Sequence, residues 1–478
     1  MNETNLKGKV LSGLFWKFLE QCGAQGIQFI VALVLARLMT PTEYGTIGLI
    51  TVFITIANTF VQSGFSMALV QGKHVDDEDY SSVLWLSLGL AGIAYIALYA
   101  AAPAIAAFYR TDVLIQLVRV MGIMLFPGAV VSIQTAFVAR NLAFKKMFQS
   151  TMGAVVVSGV LAILYALRGG GIWAMALQQI AYYFSLMLFL FFEVPWRPHL
   201  LFSRKNIRQL FSFGWKILVS GLLDTIWQNI YALVIGRKYT SADLGAYNRG
   251  EQFPKIIVTN LSQAVQSVML PAYSKLQDDT EALRSMARRS MKLSAFLIFP
   301  MMAGLSAVAE PLIRLLLGEK WMGAVPYLVI MAVSYAVYPV HIINLQIINA
   351  KGRSDLFLKL EIIKKILGIA ILAISISQGI WIMMLWKFVD EYLCTFINAW
   401  PNRRLIGYGP GRQYLDLLPT AAISAVMGVM VWRIEALALG TVTTLLLQII
   451  AGVVVYAVLS WLFNRECLIY LLKLVGKG

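Results

Sequence analysis

The sequence predicts an all-α polytopic membrane protein of about 14 transmembrane helices, laid out as two pseudo-symmetric six-helix lobes plus a C-terminal helix pair. Three observations predict it. The 478 residues are 59% hydrophobic and only 13% charged, with a mean hydropathy of +0.73, whereas soluble domains carry roughly a quarter charged residues. The apolar residues gather in runs of about 20, the length that crosses a bilayer. The chain also writes one stretch twice. QFIVALVLARLMTPTEYG over 28–45 returns as QNIYALVIGRKYTSADLG over 228–245, and Gln28, Ala32, Leu33, Val34, Arg37, Thr40 and Gly45 recur 200 residues later. In a membrane chain, two structural repeats are a common ground plan for a secondary transporter.

The spans are expected near 13–38, 45–70, 81–102, 117–138, 149–167, 172–192, 215–236, 250–274, 291–309, 324–349, 358–378, 380–399, 417–435 and 438–463. The duplication runs through the first twelve. Ala102-Pro103 is echoed by Glu310-Pro311, Pro127 by Pro339, Gln134 by Gln346, and Gly171-Ile172-Trp173-Ala174-Met175 by Gly379-Ile380-Trp381-Ile382-Met383. This gives an N-terminal lobe over 1–192, a cytoplasmic linker over 193–214 and a C-terminal lobe over 215–399. An extra helix pair with a cytoplasmic tail follows over 400–478. An even number of spans per lobe keeps both in one orientation, a parallel repeat about the membrane normal. Pro127 and Pro339 are expected to kink spans 4 and 10, because an interior proline removes a backbone bond and clashes with the previous turn.

The net charge of +16 does not point to nucleic acid, since the basic residues are scattered over short loops. Those at 140–146, 197–208, 275–289, 351–359, 403–412 and the two ends fall on one side, in the pattern of the positive-inside rule. Both termini are therefore expected in the cytoplasm. Cys22, Cys394 and Cys467 have neither disulfide nor C-x-x-C spacing and read as small packing residues. The N-terminus lacks a clean signal-peptide core, so the first span is expected to stay as an anchor.

Polar groups inside a span are costly unless they face a partner or water, so their spacing is informative. Span 1 carries Lys17, Glu20, Gln21, Gln25 and Gln28 near helical periodicity, and span 7 carries Lys216, Ser220, Asp224, Gln228 and Tyr231. Span 2 has Thr51, Thr55, Asn58, Thr59 and Gln62; span 8 has Lys255, Thr259, Ser262, Gln263 and Gln266. The stripes fall on the first two helices of each half and predict a wet cavity lined by spans 1, 2, 7 and 8. The competing reading is interhelical hydrogen bonding in a dry bundle. The substrate-binding candidates are Lys17, Glu20, Gln28, Asn58, Gln62, Lys216, Gln228, Lys255 and Gln263. Asp224, near the bilayer midplane at 1.5 Å of rise per residue, is the ion-coupling candidate, because a carboxylate at that depth is suited to taking up and releasing a proton. Arg37, Glu43, Arg237 and Asp243, at the far ends of the repeated stretch, are outer-gate candidates. Lys17 and Lys216 each follow a tryptophan and begin the first helix of their half. Two ammonium groups there suit an anionic group that is held and then released; the plainer reading is snorkelling to the headgroups. Lys17 with Glu20, and Lys387 with Asp390 and Glu391 in span 12, also read as local pairs that lower their own insertion cost.

Several motifs lead nowhere. Asp77-Glu78-Asp79 matches the D-x-D of sugar-nucleotide transferases but lacks a nucleotide-binding domain around it, and reads as a solvated acidic loop. Gly407-Tyr408-Gly409-Pro410-Gly411-Arg412 and Arg168-Gly169-Gly170-Gly171 lack the Lys-Ser/Thr of a phosphate loop and read as turns. His74, His199 and His341 are too far apart for a metal signature. No metal, cofactor or catalytic residue is expected, and the chain reads as a non-enzyme.

At Ala36-Arg37-Leu38-Met39-Thr40-Pro41-Thr42-Glu43-Tyr44-Gly45 the chain resembles the polysaccharide transporter (oligosaccharide-lipid flippase) branch of the multidrug/oligosaccharidyl-lipid/polysaccharide (MOP) exporter superfamily, and within it the colanic acid and teichuronic acid exporters. Asn349-Ala350-Lys351-Gly352-Arg353 resembles a second, looser motif. The likeness implies a flippase for undecaprenyl-diphosphate-linked oligosaccharide, working by alternating access under an ion gradient in a bacterial plasma membrane. It also implies a cavity around helices 1, 2, 7 and 8, where relatives place arginines and this chain has mainly lysines. The implied partners are the lipid-linked substrate and membrane lipids, with a polysaccharide polymerase and glycosyltransferases nearby, and the chain is expected to be a monomer. A drug or metabolite exporter of the same superfamily is the alternative, and the two extra spans favour the lipid substrate. A membrane-embedded glycosyltransferase would need a large external loop that the sequence lacks.

Overall fold

The computed structural model describes residues 3–62, 65–72, 75–201, 203 and 204–475; the side chains of 3–11, 204–214, 471–475 and a few single positions, Lys216 among them, lie outside the described residues. The described elements are helices. Eleven of them are long and apolar enough to cross a membrane, which makes the chain an all-α, multi-pass membrane protein. The sequence led to about 14 spans. The helices at the expected eighth, eleventh and twelfth places carry polar runs or several charges and fall short of that apolarity.

Contacts divide the chain into two compact units, Met1–Gly245 and Ala246–Gly478. In the first, α1 (Glu3–Leu38) packs on α7 (Phe144–Leu167), and α7 on α8 (Ile172–Glu193). Helix α2 (Pro41–Gln62), followed by the short α3 (Phe65–Gln71), packs against α4 (Asp77–Tyr109), α6 (Leu125–Arg140), α8 and α9 (Arg204–Lys238). Leu69, Tyr80, Val83, Leu84, Ile133, Val138 and Leu190 are buried together at the core. Helix α9 is continuous, so helix begins inside the stretch read as a linker.

The acidic run before Tyr80 is not a loop. Asp76 caps α4, accepting from the Asp79 backbone N–H at 2.9 Å, while Asp79 accepts from the Asp76 N–H at 3.2 Å. Such a reciprocal box satisfies two orphan donors at a helix start, and Asp77 and Glu78 lie in the first turn, where negative charge is favoured. Just before Pro127 the span Val113–Arg140 passes through a 3₁₀ turn over Gly122–Met124, which joins α5 (Val113–Met121) to α6.

The second unit holds the rest of α10 (Ser241–Lys275), then α11 (Thr280–Ala307) and the short α12 (Ala309–Leu316). Helices α13 (Val325–Ala336) and α14 (Tyr338–Ala350) form one span interrupted at Val337, with Pro339 at the start of the second piece, where a kink was expected. Then come α15 (Ser354–Ser375), α16 (Ile380–Ala399), α17 (Asn402–Leu405), α18 (Pro410–Arg433), α19 (Thr441–Phe463) and α20 (Arg465–Val475). Helix α11 packs on α13, α14 and α18, α16 on α13, α14 and α15, and α18 on α19. Leu283, Met291, Ile343, Ile347 and Ile406 are among the buried core. Outside the spans, Arg353 forms a two-point hydrogen-bonded pair with Asp355 at 2.8 Å for each bond, which holds that carboxyl well below the usual carboxylate range.

Candidate functional site

The repeated motif builds the same structure twice. Thr40 caps α2: its backbone N–H and its hydroxyl donate to Glu43 Oε2 at 2.7 and 2.9 Å, and Glu43 N–H donates to Thr40 Oγ1 at 3.3 Å. Thr240 and Asp243 repeat the arrangement at the start of α10, at 3.1, 2.7 and 3.1 Å. The two acids offered as gate residues thus have a local task as capping-box acids. Arg37 is exposed, and the Arg237 guanidinium lies 4.7 Å from the Phe108 ring centroid. Between the two capped helix starts, glycine is obligatory. A Cβ at Gly45 would lie 1.6 Å from the Ser241 carbonyl oxygen, and one at Gly245 would lie 2.0 Å from that of Pro41. The first turns of α2 and α10, all within the first unit, cross backbone to backbone.

Further along the first unit, Lys17 donates to Glu20 at 2.7 Å, and Glu20 is buried, with Thr151 Oγ1 3.4 Å from its other oxygen. Lys17 itself stays exposed. The local-pair reading of these two therefore describes the geometry. Gln28 is exposed. Asn58 is buried and accepts from Gln62 at 3.2 Å, beside Gly128, where a Cβ would meet both amides at 3.0 Å. Asp224 and Gln228 are exposed on α9 and bonded to each other at 2.8 Å. Thr59 and Thr225 join α2 to α9 at 3.1 Å, and Gln179 on α8 donates to Thr51 on α2 at 3.1 Å. Lys216 lies on α9, its side chain outside the described residues.

In the second unit, Lys255 and Gln263 are exposed on α10. The centre of this unit is a charge cluster that the sequence reading missed. Lys387, read as pairing locally with Asp390 and Glu391, instead reaches from α16 to α10. Its Nζ lies 3.0 Å from Glu251 Oε1 and 2.7 Å from the Tyr247 hydroxyl, and the lysine is 7% exposed. The same Glu251 oxygen accepts from Tyr247 at 3.0 Å and from Tyr335 of α13 at 2.6 Å. Asp390 faces Cys394 Sγ at 3.7 Å. Asp390 and Glu391 still act on Lys387 electrostatically from its own helix, but its hydrogen-bonded anion is Glu251, a desolvated carboxylate supported by two tyrosines. Deeper in the unit, buried Lys364 donates to Glu361 at 2.5 Å and lies 3.4 Å from His341.

The sequence contained one signal for this pair. Glu251 stands 200 residues after Thr51, and Lys387 stands 208 after Gln179, the offset that carries Gly171 to Gly379. The neutral Gln179–Thr51 bond and the Lys387–Glu251 ion pair are therefore the same link in the two halves.

A helical, multi-pass fold with a repeated helix pair per half, and polar residues along those helices, defines a membrane protein built from two repeats. Solved structures share that fold. An inward-closed lipid II flippase MurJ aligns with TM-score 0.76 at 14% identity, covering 95% of this chain and 100% of that one. An inward-facing MATE multidrug transporter of the MOP superfamily aligns with TM-score 0.58 at 17% identity, covering 86% and 95%. The chain belongs to the family described as polysaccharide biosynthesis protein, whose model matches residues 34–326. It is 25% identical over 432 residues to the teichuronic acid biosynthesis protein TuaB of Bacillus subtilis, covering 89% of each. It is 25% identical over 465 residues to the succinoglycan biosynthesis transport protein ExoT of Rhizobium meliloti, covering 96% of this chain and 94% of that one. With the lipopolysaccharide biosynthesis protein WzxC of Escherichia coli, identity is 24% over 447 residues and coverage 89% of each.

Proposed function

We propose that this chain is a flippase that carries a lipid-diphosphate-linked oligosaccharide from the inner to the outer face of a bacterial plasma membrane, with both termini in the cytoplasm. The observation that carries the reading is the run of exposed polar and charged groups, Lys17, Gln28, Asp224 and Gln228, along the first helices of the two repeats. Exposed ionisable groups on membrane helices are functional by default, and the ammonium of Lys17 suits a diphosphate. Near-full-length relatives named for polysaccharide synthesis and transport support the same substrate class. The MATE transporter, named for multidrug resistance, aligns less well than the lipid II flippase, which favours a lipid substrate over a small drug. An ion gradient drives the cycle, and a polymerase and glycosyltransferases act on the same glycan.

The test replaces Lys17 and Lys216 together by Gln. Surface polysaccharide should fall to background at unchanged protein level, and lipid-linked precursor should accumulate on the cytoplasmic face. Normal export by the double variant would reduce both lysines to headgroup anchors. Absence of precursor export by the unaltered chain in a strain lacking other flippases would sink the function itself.

A further inference from the structure

We propose that Lys387 and Glu251 are positioning residues for Lys255: Lys387 neutralises Glu251, so that Lys255, one turn further along α10, remains the cation offered to the substrate's diphosphate. This rests on the flippase reading and names a third anion-binding lysine with the device that sustains it.

Stability alone does not account for the ion pair. The first half makes the corresponding interhelical link with a neutral amide and hydroxyl, Gln179 to Thr51 at 3.1 Å. A buried ion pair gains little over a well-matched neutral contact, because desolvation offsets the attraction. The charge in the second half therefore has another use. Glu251 lies at position i and Lys255 at i+4 on one helix, the orientation in which Glu and Lys pair best. Unopposed, the carboxylate would draw the Lys255 ammonium inward along α10. Lys387, 3.0 Å from Glu251 Oε1 and almost fully buried, supplies the opposing charge, while Tyr247 and Tyr335 occupy the same oxygen at 3.0 and 2.6 Å. Lys255 is exposed. It still acts on Glu251 electrostatically beside Lys387, but among the described residues makes no direct ion pair with it, the place beside the carboxylate being held by Lys387.

The experiment uses the full-length chain in two arms. In the first, Lys255→Cys is placed in a chain whose exposed Cys22 is replaced by Ser, and the rates of labelling by cationic and anionic methanethiosulfonates are compared. Adding Lys387→Met leaves the Glu251 carboxylate one turn away without its counter-charge, and the rates are read up to about pH 9 so that the ionised carboxylate is sampled. The cationic-to-anionic rate ratio should rise at least about tenfold, as expected for a unit charge within one helical turn at intermediate dielectric. Replacing both partners with the first half's pair, Glu251→Thr with Lys387→Gln, should bring the ratio back to its starting value. In the second arm Lys255 is native. Lys387→Met should lose most polysaccharide export, Lys255→Gln should lose it similarly, and the Thr–Gln pair should recover it well above the Lys387→Met level, all at matched protein abundance. A purely structural brace would leave the labelling ratio unmoved. An unmoved ratio in Lys387→Met, full export by Lys255→Gln, or no recovery by the Thr–Gln pair would each overturn the proposal. The labelling arm reads the local charge even if the unaltered chain exports no lipid-linked glycan, so failure of the substrate class is seen separately.

Discussion

Asp224 is an exposed carboxylate well along a membrane helix, bonded to Gln228 one turn on. Asp224→Asn keeps the shape and a hydrogen-bonding oxygen for Gln228 while abolishing titration. Export by this variant should lose its response to an imposed pH gradient; full export that still follows the gradient would remove Asp224 from the coupling step. Thr-x-x-Glu at 40–43 is a capping-box signature, and Thr-x-x-Asp at 240–243 makes the same box; the two gate candidates are thus capping acids as well. Lys387 was assigned to its neighbours in sequence because spacing reports only contacts within one helix. Its partner is 136 residues away, on another helix, and no periodicity reaches that far. Lys17 with Glu20, a contact of sequence neighbours, was legible.

At the scale of elements, the apolar runs of α1, α2, α4, α7, α8, α18 and α19 were readable because each is a single long helix with few charges. The breaks between α5 and α6, and between α13 and α14, were foreshadowed by Pro127 and Pro339. A proline marks where a helix loses a bond but not whether it bends or divides. At the crossing of α2 and α10, carbonyl oxygens occupy the space of a Cβ at both glycines. Gly245→Ala must force these helix starts apart, at a cost of roughly 1–3 kcal/mol by the measure of overpacked sites. Purified protein should melt at lower temperature in detergent. Gly26→Ala on α1, where a Cβ would meet nothing within 4 Å, is the matched control and should hold or raise the melting point, because it only narrows the unfolded ensemble. Equal behaviour of the two variants would show that the crossing relaxes without strain.

For the whole molecule, fold class and repeat were the most legible features, because composition and self-similarity are global properties that survive local misreading. Orientation is read from the uneven distribution of Lys and Arg among the loops. Cysteines placed singly at Arg204 and Ser241, probed on intact cells with an impermeant thiol reagent, should label at 241 and stay silent at 204; labelling at 204 would invert the topology. The backbone beside Gly45 excludes a side chain at Gly245's crossing point, and the backbone beside Gly245 does the same for Gly45, which is the self-complementary pattern of a twofold dimer. One steric constraint thus binds both glycines at once, whereas other repeated positions differ between the halves, as Thr51 and Glu251 do.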